Sequence, residues 1–198
     1  MRARYSAPVP ARQTRPEPRR MDLAQILPDV WLLSDARNDG RLESAIAALP
    51  PGSGFVYRHY HLDPATRRRR FETLRPLLSL GGHLAVLSGN EDEADAWGLV
   101  GIYGHADLLG SRADLLRIAP VHDAAEIDHA NAFAADAVML SPVYRTRSHP
   151  HVRPLGPERF HALATLAEMP VIALGGMTAS RAKELGWTRW AAVDGLSA

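Results

Sequence analysis

The sequence contains no cysteine. That excludes disulfides, thiolate-bound zinc, iron–sulfur clusters and a thiol nucleophile, and it fits a reducing compartment, so a cytoplasmic location is expected. No run approaches the roughly 18–20 consecutive apolar residues that a membrane span needs, and the N-terminal segment has no apolar core of a secretory signal. A charge excess of either sign is also lacking, with 23 Lys+Arg against 22 Asp+Glu and a formal net charge of +1. What basic character there is collects in residues 1–20, where six Arg face the single Glu17 among four Pro. Such a segment buries too little apolar surface to fold alone. It reads as a disordered leader, as an over-long start before Met21, or as an arm touching nucleic acid, and without aromatic interleaving the first two are favoured. The whole chain's +1 less the arm's +5 leaves −4 on the remainder, so neither a nucleic-acid surface nor a membrane partner is expected of residues 21–198.

From Val30 onward, short β-rich runs alternate with helical patterns, as in βα units around a parallel sheet. Eight runs stand out, at 30–35, 54–60, 83–88, 99–103, 116–122, 137–143, 170–175 and 190–196. Helical stretches lie between them at 40–49, 64–80, 91–97, 123–134, 157–167 and 178–185, with a short turn near 111–114. Runs such as Val171-Ile172-Ala173-Leu174 are almost wholly apolar, as strands covered on both faces must be. An α/β (βα)₈ barrel over residues 21–198 is predicted, with an open doubly wound sheet as its rival. At 198 residues the barrel must be compact, since about 250 is usual. Only two residues follow Leu196, so the last helix is predicted to be missing and an apolar strip to be exposed there.

In such a barrel the chemistry gathers just past the strand C-termini. After the sixth run stand Ser141, Pro142, Val143, Tyr144, Arg145, Thr146, Arg147, Ser148, His149 and Pro150, a concentration of hydroxyls, guanidinium and imidazole suited to an anion. The seventh run ends in Gly175-Gly176 before a helix, where close backbone approach and exposed amides suit a phosphate. Arg58 follows the second run, and alternation sends it and Tyr60 to one side and His59 and His61 to the other. There it serves either as an anion clamp or as the partner of a barrel carboxylate. His122 and Glu126 form either an acid–base pair or, with Asp123, a helix cap, the cap being favoured. A metal site of His59, His61, His149 and His151 is not expected, for want of a carboxylate partner or a helical His pair. The arginines 67–70 read as a solvated face.

Together these motifs, with the flanking His122-Asp123-Ala124-Ala125-Glu126 and Leu155-Gly156-Pro157-Glu158, resemble the C-terminal half of the thiamine phosphate synthase and thiazole tautomerase family. The likeness is specific over 116–196 and topological over 30–115. It implies a transferase of thiamine biosynthesis that joins thiazole phosphate to pyrimidine pyrophosphate, with Mg²⁺ helping pyrophosphate to leave. It further implies that Thr146 and Ser148, Gly175 and Gly176, and Val193 and Asp194 hold the thiazole phosphate, with Arg145 and Arg147 beside it. Arg58, His122 and His149 become the candidate catalytic groups. The other half of the family pattern is replaced. Val56 and Tyr60 stand where glutamine and lysine flank the arginine, and Ser88-Gly89 stands where an asparagine–aspartate pair holds metal. Asp107 is one place from a metal-binding aspartate, Pro120 replaces a serine, His149 a lysine and Pro142 the tautomerase histidine. Mg²⁺ is therefore expected only if synthase activity is retained. A thiazole phosphate isomerase or a silent phosphate-ligand-binding homologue is the alternative. Expected partners are small phosphorylated thiazole or pyrimidine ligands, with a homo-oligomer left open.

Overall fold

The computed structural model describes residues 27–110, 112, 114–147, 151–194 and 196. The arm at 1–20, Met21, Ser148 and His149 lie outside these described residues. Eight parallel strands close on themselves: β1 (Val30–Leu33), β2 (Gly54–Tyr57), β3 (Leu84–Leu87), β4 (Gly101–Tyr103), β5 (Leu116–Val121), β6 (Ala137–Leu140), β7 (Val171–Leu174) and β8 (Trp190–Ala192). β1 meets β8 in the register Val30↔Trp190, Trp31↔Ala191 and Leu32↔Ala192, which completes the ring. This is the predicted compact α/β barrel. Six α-helices among the described residues surround it: α1 (Leu42–Ala47), α2 (Pro64–Leu80), α3 (Glu91–Ala96), α4 (Ala124–Ala132), α5 (Gly156–Ala164) and α6 (Ala179–Leu185). None of them is long and apolar enough to cross a membrane.

Local chemistry sets these boundaries. The Asp63 carboxylate accepts the amides of Ala65 and Thr66, both at 3.1 Å, and Pro64 fills the first helical position of α2. Asn90, Asp123 and Thr178 cap α3, α4 and α6 in the same way, and Gly186 ends α6 at φ 65°. The turn foreseen near 111–114 comes earlier, as a 3₁₀ turn at Ala106–Leu108.

The period-2 alternation of the strands divides the core in two. Leu32, Phe55, Tyr57, Leu87, Ile102, Val138 and Ala173 face the helices. Trp31, Leu33, Val56, Val86, Tyr103, Ile118, Met139, Ile172 and Ala191 fill the barrel interior. Trp31 is fully buried and its indole N–H donates to the Pro28 carbonyl at 2.8 Å. Its ring occupies the space a side chain at Gly54 would need, which explains a glycine inside a strand.

Two expectations need correction. No described helix follows β8, as predicted, yet no apolar strip is exposed there: Trp190 and Ala192 are 6% and 4% exposed, and Val30, Trp187 and Leu196 pack on the same cluster. The loop after β1 also clips onto the end of β8, since the Asn38 amide donates to Val193 O at 2.9 Å and Leu33 O at 3.0 Å. The arginines 67–70 are not all solvated. Arg67 and Arg70 turn inward, because a helix face recurs every third or fourth residue and α2 packs on the barrel through Arg67, Phe71, Leu74 and Leu78.

Candidate functional site

The uppermost inward layer of the barrel forms the floor of a cavity of about 540 Å³. Leu33, Arg58, Tyr103, Pro120, Ser141, Leu174 and Val193 line that floor, and the loops after the strands rise around it. Arg58, His122, Arg145, Thr146, Arg147, Gly175, Gly176, Val193 and Asp194 all face this one space. Ser148 and His149 lie outside the described residues. Arg41, Tyr103 and Arg181 also line the cavity, and the sequence reading missed them. Arg41 closes a 3₁₀ turn after β1, and Arg181 sits one turn past the Gly-Gly pair, a position that helical spacing could have flagged.

The β6 and β7 loops make one wall. Val143 N–H donates to Leu174 O at 2.9 Å and Tyr144 N–H to Gly175 O at 3.0 Å. A Cβ at Gly175 would lie 2.6 Å from Pro142 Cα, and one at Gly176 would collide with the Arg145 carbonyl. Both residues have left-handed backbones, with φ 96° and 63°. Glycine is thus required here by the neighbouring loop before any ligand is considered. The Gly176 carbonyl accepts Arg181 Nη1, and the guanidinium lies 5.0 Å from the centroid of the Tyr144 ring. The amides of Gly176 and Met177 donate to no described residue. With Arg145, Arg147 and Arg181 they give this wall a strongly donor character suited to an anion.

The opposite wall is a side-chain network. β2 ends at Tyr57, earlier than foreseen, because His59 takes a left-handed backbone at φ 42°. Arg58 therefore turns into the mouth, while His59 is buried and stacks on Tyr57 at 4.8 Å. Arg58 lines the cavity and finds a carboxylate partner in Asp35 at 3.0 Å, with Nε on Ser34 O at 2.8 Å. Burial alone would raise the Asp35 carboxyl, but hydrogen bonds from Arg37 and the charges of Arg37 and Arg58 overcome it and hold its pKa below the ordinary value. Arg37 also reaches Asp194 at 3.5 Å, which offsets the carboxylate that would otherwise repel a phosphate near β8. Arg67, 9% exposed, braces the wall from α2. It donates to Arg58 O at 2.8 Å and pairs with Glu93 at 3.1 Å, and its Nη2 reaches Ser88 O at 2.6 Å.

His122 Nδ1 lies 2.8 Å from Glu126 Oε2, and that same oxygen accepts the His122 amide, while Asp123 Oδ1 accepts Glu126 N–H at 3.0 Å. The favoured cap is present, and so is the pair. The histidine cluster does find a carboxylate, contrary to the sequence reading: Asp39, His59 and His61 offer ligand atoms within 4.8 Å of one another. Asp39 Oδ1 already accepts Arg70 Nε at 2.7 Å and meets His59 Nε2 at 2.9 Å. A guanidinium on that oxygen opposes a cation, so the group acts as hydrogen-bonded scaffold.

Comparisons with known proteins give a consistent picture. A family model described as "Thiamine monophosphate synthase" matches residues 33–197. A curated relative, "Putative thiamine-phosphate synthase 2" of Aquifex aeolicus, is 34% identical over 62 residues, which are 31% of this chain and 33% of that protein. The match thus spans about a third of that relative's length. The solved thiamine phosphate pyrophosphorylase from Pyrococcus furiosus superposes with a TM-score of 0.73 at 21% identity, covering 89% of this chain and 91% of that one. FabK from Thermotoga maritima gives a TM-score of 0.69 at 14% identity over 88% and 61%. At such identities structural likeness shows the fold alone.

Proposed function

Because the chain belongs to the thiamine monophosphate synthase family, we propose that its mouth joins a thiazole phosphate to a pyrimidine pyrophosphate to give thiamine phosphate. One observation carries this reading: five arginines, Arg41, Arg58, Arg145, Arg147 and Arg181, converge with a Gly-Gly loop on one cavity. The thiazole phosphate takes the Gly176 and Met177 amides, Thr146, Arg145 and Arg147. The pyrophosphate takes Arg58. The thiazole nitrogen attacks the pyrimidine methylene carbon as the carbon–oxygen bond to pyrophosphate breaks, and the electron pair leaves on that oxygen. Catalysis on this view is positioning plus stabilisation of the departing anion.

The family's Mg²⁺ finds a poor set of ligands here. Asp35 and Asp194 are each paired with arginine, Ser88 Oγ is engaged by Tyr60 and by Tyr103 O, and Asp107 is exposed and off the cavity wall. A hard cation needs several free oxygens. Guanidinium forks suit the same anion, so arginine takes the metal's place in the proposal. Calorimetric titration with thiazole phosphate and pyrimidine pyrophosphate, with Mg²⁺ or with EDTA, tests it alongside an assay for thiamine phosphate. Binding of both ligands and product formed equally in EDTA is the expected result. Binding of thiazole phosphate without product overturns the synthase reading. It would favour an isomerase acting on the thiazole phosphate, for which His122, on the cavity rim and backed by Glu126, supplies an acid–base group.

A further inference from the structure

Tyr103 is a polar group of the mouth that the proposed function leaves unused. It ends β4, points into the barrel interior, is 7% exposed and lines the cavity. Its carbonyl accepts Ser88 Oγ at 3.1 Å, but its phenol makes no hydrogen bond to any described residue. Its oxygen is not among the buried side-chain atoms that lack a partner, so it opens onto the cavity. A phenol that has no protein partner and opens onto a cavity is placed for an atom of a ligand.

The surroundings narrow what that atom is. Elsewhere on the floor Leu33, Pro120 and Leu174 are apolar and Ser141 is uncharged, and the charge that acts on Tyr103 is that of Arg58. Burial pushes its pKa up to about 12, with Arg58 acting in the opposite sense, so the phenol keeps its hydrogen at neutral pH. A ligand group lying between a phenol donor and a guanidinium must accept hydrogen bonds and carry negative charge. A cation, an N–H donor or a bare aliphatic surface fits poorly there. The ring order of the barrel adds a second constraint. β4 lies three strands from β7 and opposite β8, so a phosphate held at Gly175–Gly176 is not the group that meets Tyr103.

We infer that Tyr103 is a specificity-determining ligand contact, which donates its phenol hydrogen to a phosphoryl oxygen of the second ligand, on the wall it shares with Arg58. The inference rests on the two-ligand reading of the mouth. It adds a contact that needs no metal and that a single phosphorylated thiazole cannot use.

Tyr103→Phe removes one oxygen and keeps the ring that fills the floor. The full chain and this variant are titrated calorimetrically in EDTA with inorganic pyrophosphate, with pyrimidine pyrophosphate and, separately, with thiazole phosphate. The expected result is that pyrophosphate and its pyrimidine ester bind about tenfold more weakly or worse to the variant, as when a hydrogen bond to a charged group is lost. Thiazole phosphate affinity and the melting temperature stay as in the parent. Unchanged pyrophosphate affinity overturns the inference, and so does a parallel loss for both ligands. A parent that binds thiazole phosphate but not pyrophosphate overturns it while leaving the phosphate site standing. If pyrophosphate binds and responds to Tyr103→Phe but thiazole phosphate does not bind, the inference stands and the synthase reading falls.

Discussion

The two walls of the mouth are built by different means. The β6–β7 wall is shaped by backbone: glycines at positive φ let one loop lie against the next, and carbonyl and amide groups hold the pair together. The β2–β4 wall is shaped by side chains that arrive from elsewhere, with Arg67 and Arg70 reaching in from α2 and Asp39 from the turn after β1. A backbone wall tolerates little change at a few positions. A side-chain wall spreads its dependence over many residues, each replaceable at a smaller cost.

The sharpest test of that contrast is Gly175→Ala. The new Cβ meets Pro142 Cα, and φ 96° is a conformation that L residues rarely adopt. Strain and overpacking together cost about 3 kcal/mol or more, which lowers the melting temperature by roughly 6–12 °C for a chain of this size. Thiazole phosphate binding is expected to vanish with it. A variant that melts and binds like the parent would mean that the wall yields easily and is not set by backbone.

Arg67→Met addresses the other wall with a smaller expected effect. The swap keeps much of the aliphatic bulk over Tyr57 and Trp97 but removes the donors to Arg58 O and Ser88 O. Leaving such buried acceptors unsatisfied costs about 2 kcal/mol. Thermal unfolding reads the loss, and calorimetry separates its consequence: pyrophosphate affinity falls with the loosening of Arg58, while thiazole phosphate affinity holds. Equal losses for both ligands would show that the walls are one mechanical unit.

The same difference decides what the sequence made legible. Eight apolar runs with caps such as Asp63-Pro64 announce a barrel because each signal is local, and Pro64–Leu80 emerges with the boundaries read from sequence. Gly175-Gly176 and the Ser141–Arg147 loop are legible for the same reason, as contiguous residues of an unusual kind. Asp39 as the partner of His59, and Arg67 as the brace of Arg58, depend on three-dimensional proximity between residues 20 and 9 positions apart. Tyr103 reads as an ordinary strand residue until the barrel register turns it onto the cavity floor. The burial of Trp190 and Ala192 was likewise out of reach, since it depends on what packs over β8.

The smallest expected effect concerns the charge state of the β2–β4 wall. Ser34 Oγ accepts the Arg58 amide at 2.7 Å, so its own hydrogen is available to His59 Nδ1 at 2.9 Å, which places the imidazole proton on Nε2 facing Asp39. Burial lowers the His59 pKa below its ordinary 6.5, although Asp39 pulls the other way. The unfolded chain therefore takes up this proton before the folded one. The stability due to neutral His59 is complete above about pH 6.5 and is lost as the pH falls through the folded value. Half-buried His83 contributes with the same sign, whereas Asp35 and Asp39, held below 3.8, add their loss only at lower pH. Asn at 59 tolerates the left-handed backbone and cannot titrate. His59→Asn should accordingly keep the fold but reduce the loss of stability between pH 7 and 5, leaving the share due to His83. Urea unfolding midpoints at the two pH values measure it. Identical pH slopes for parent and variant would mean that His59 is not held neutral.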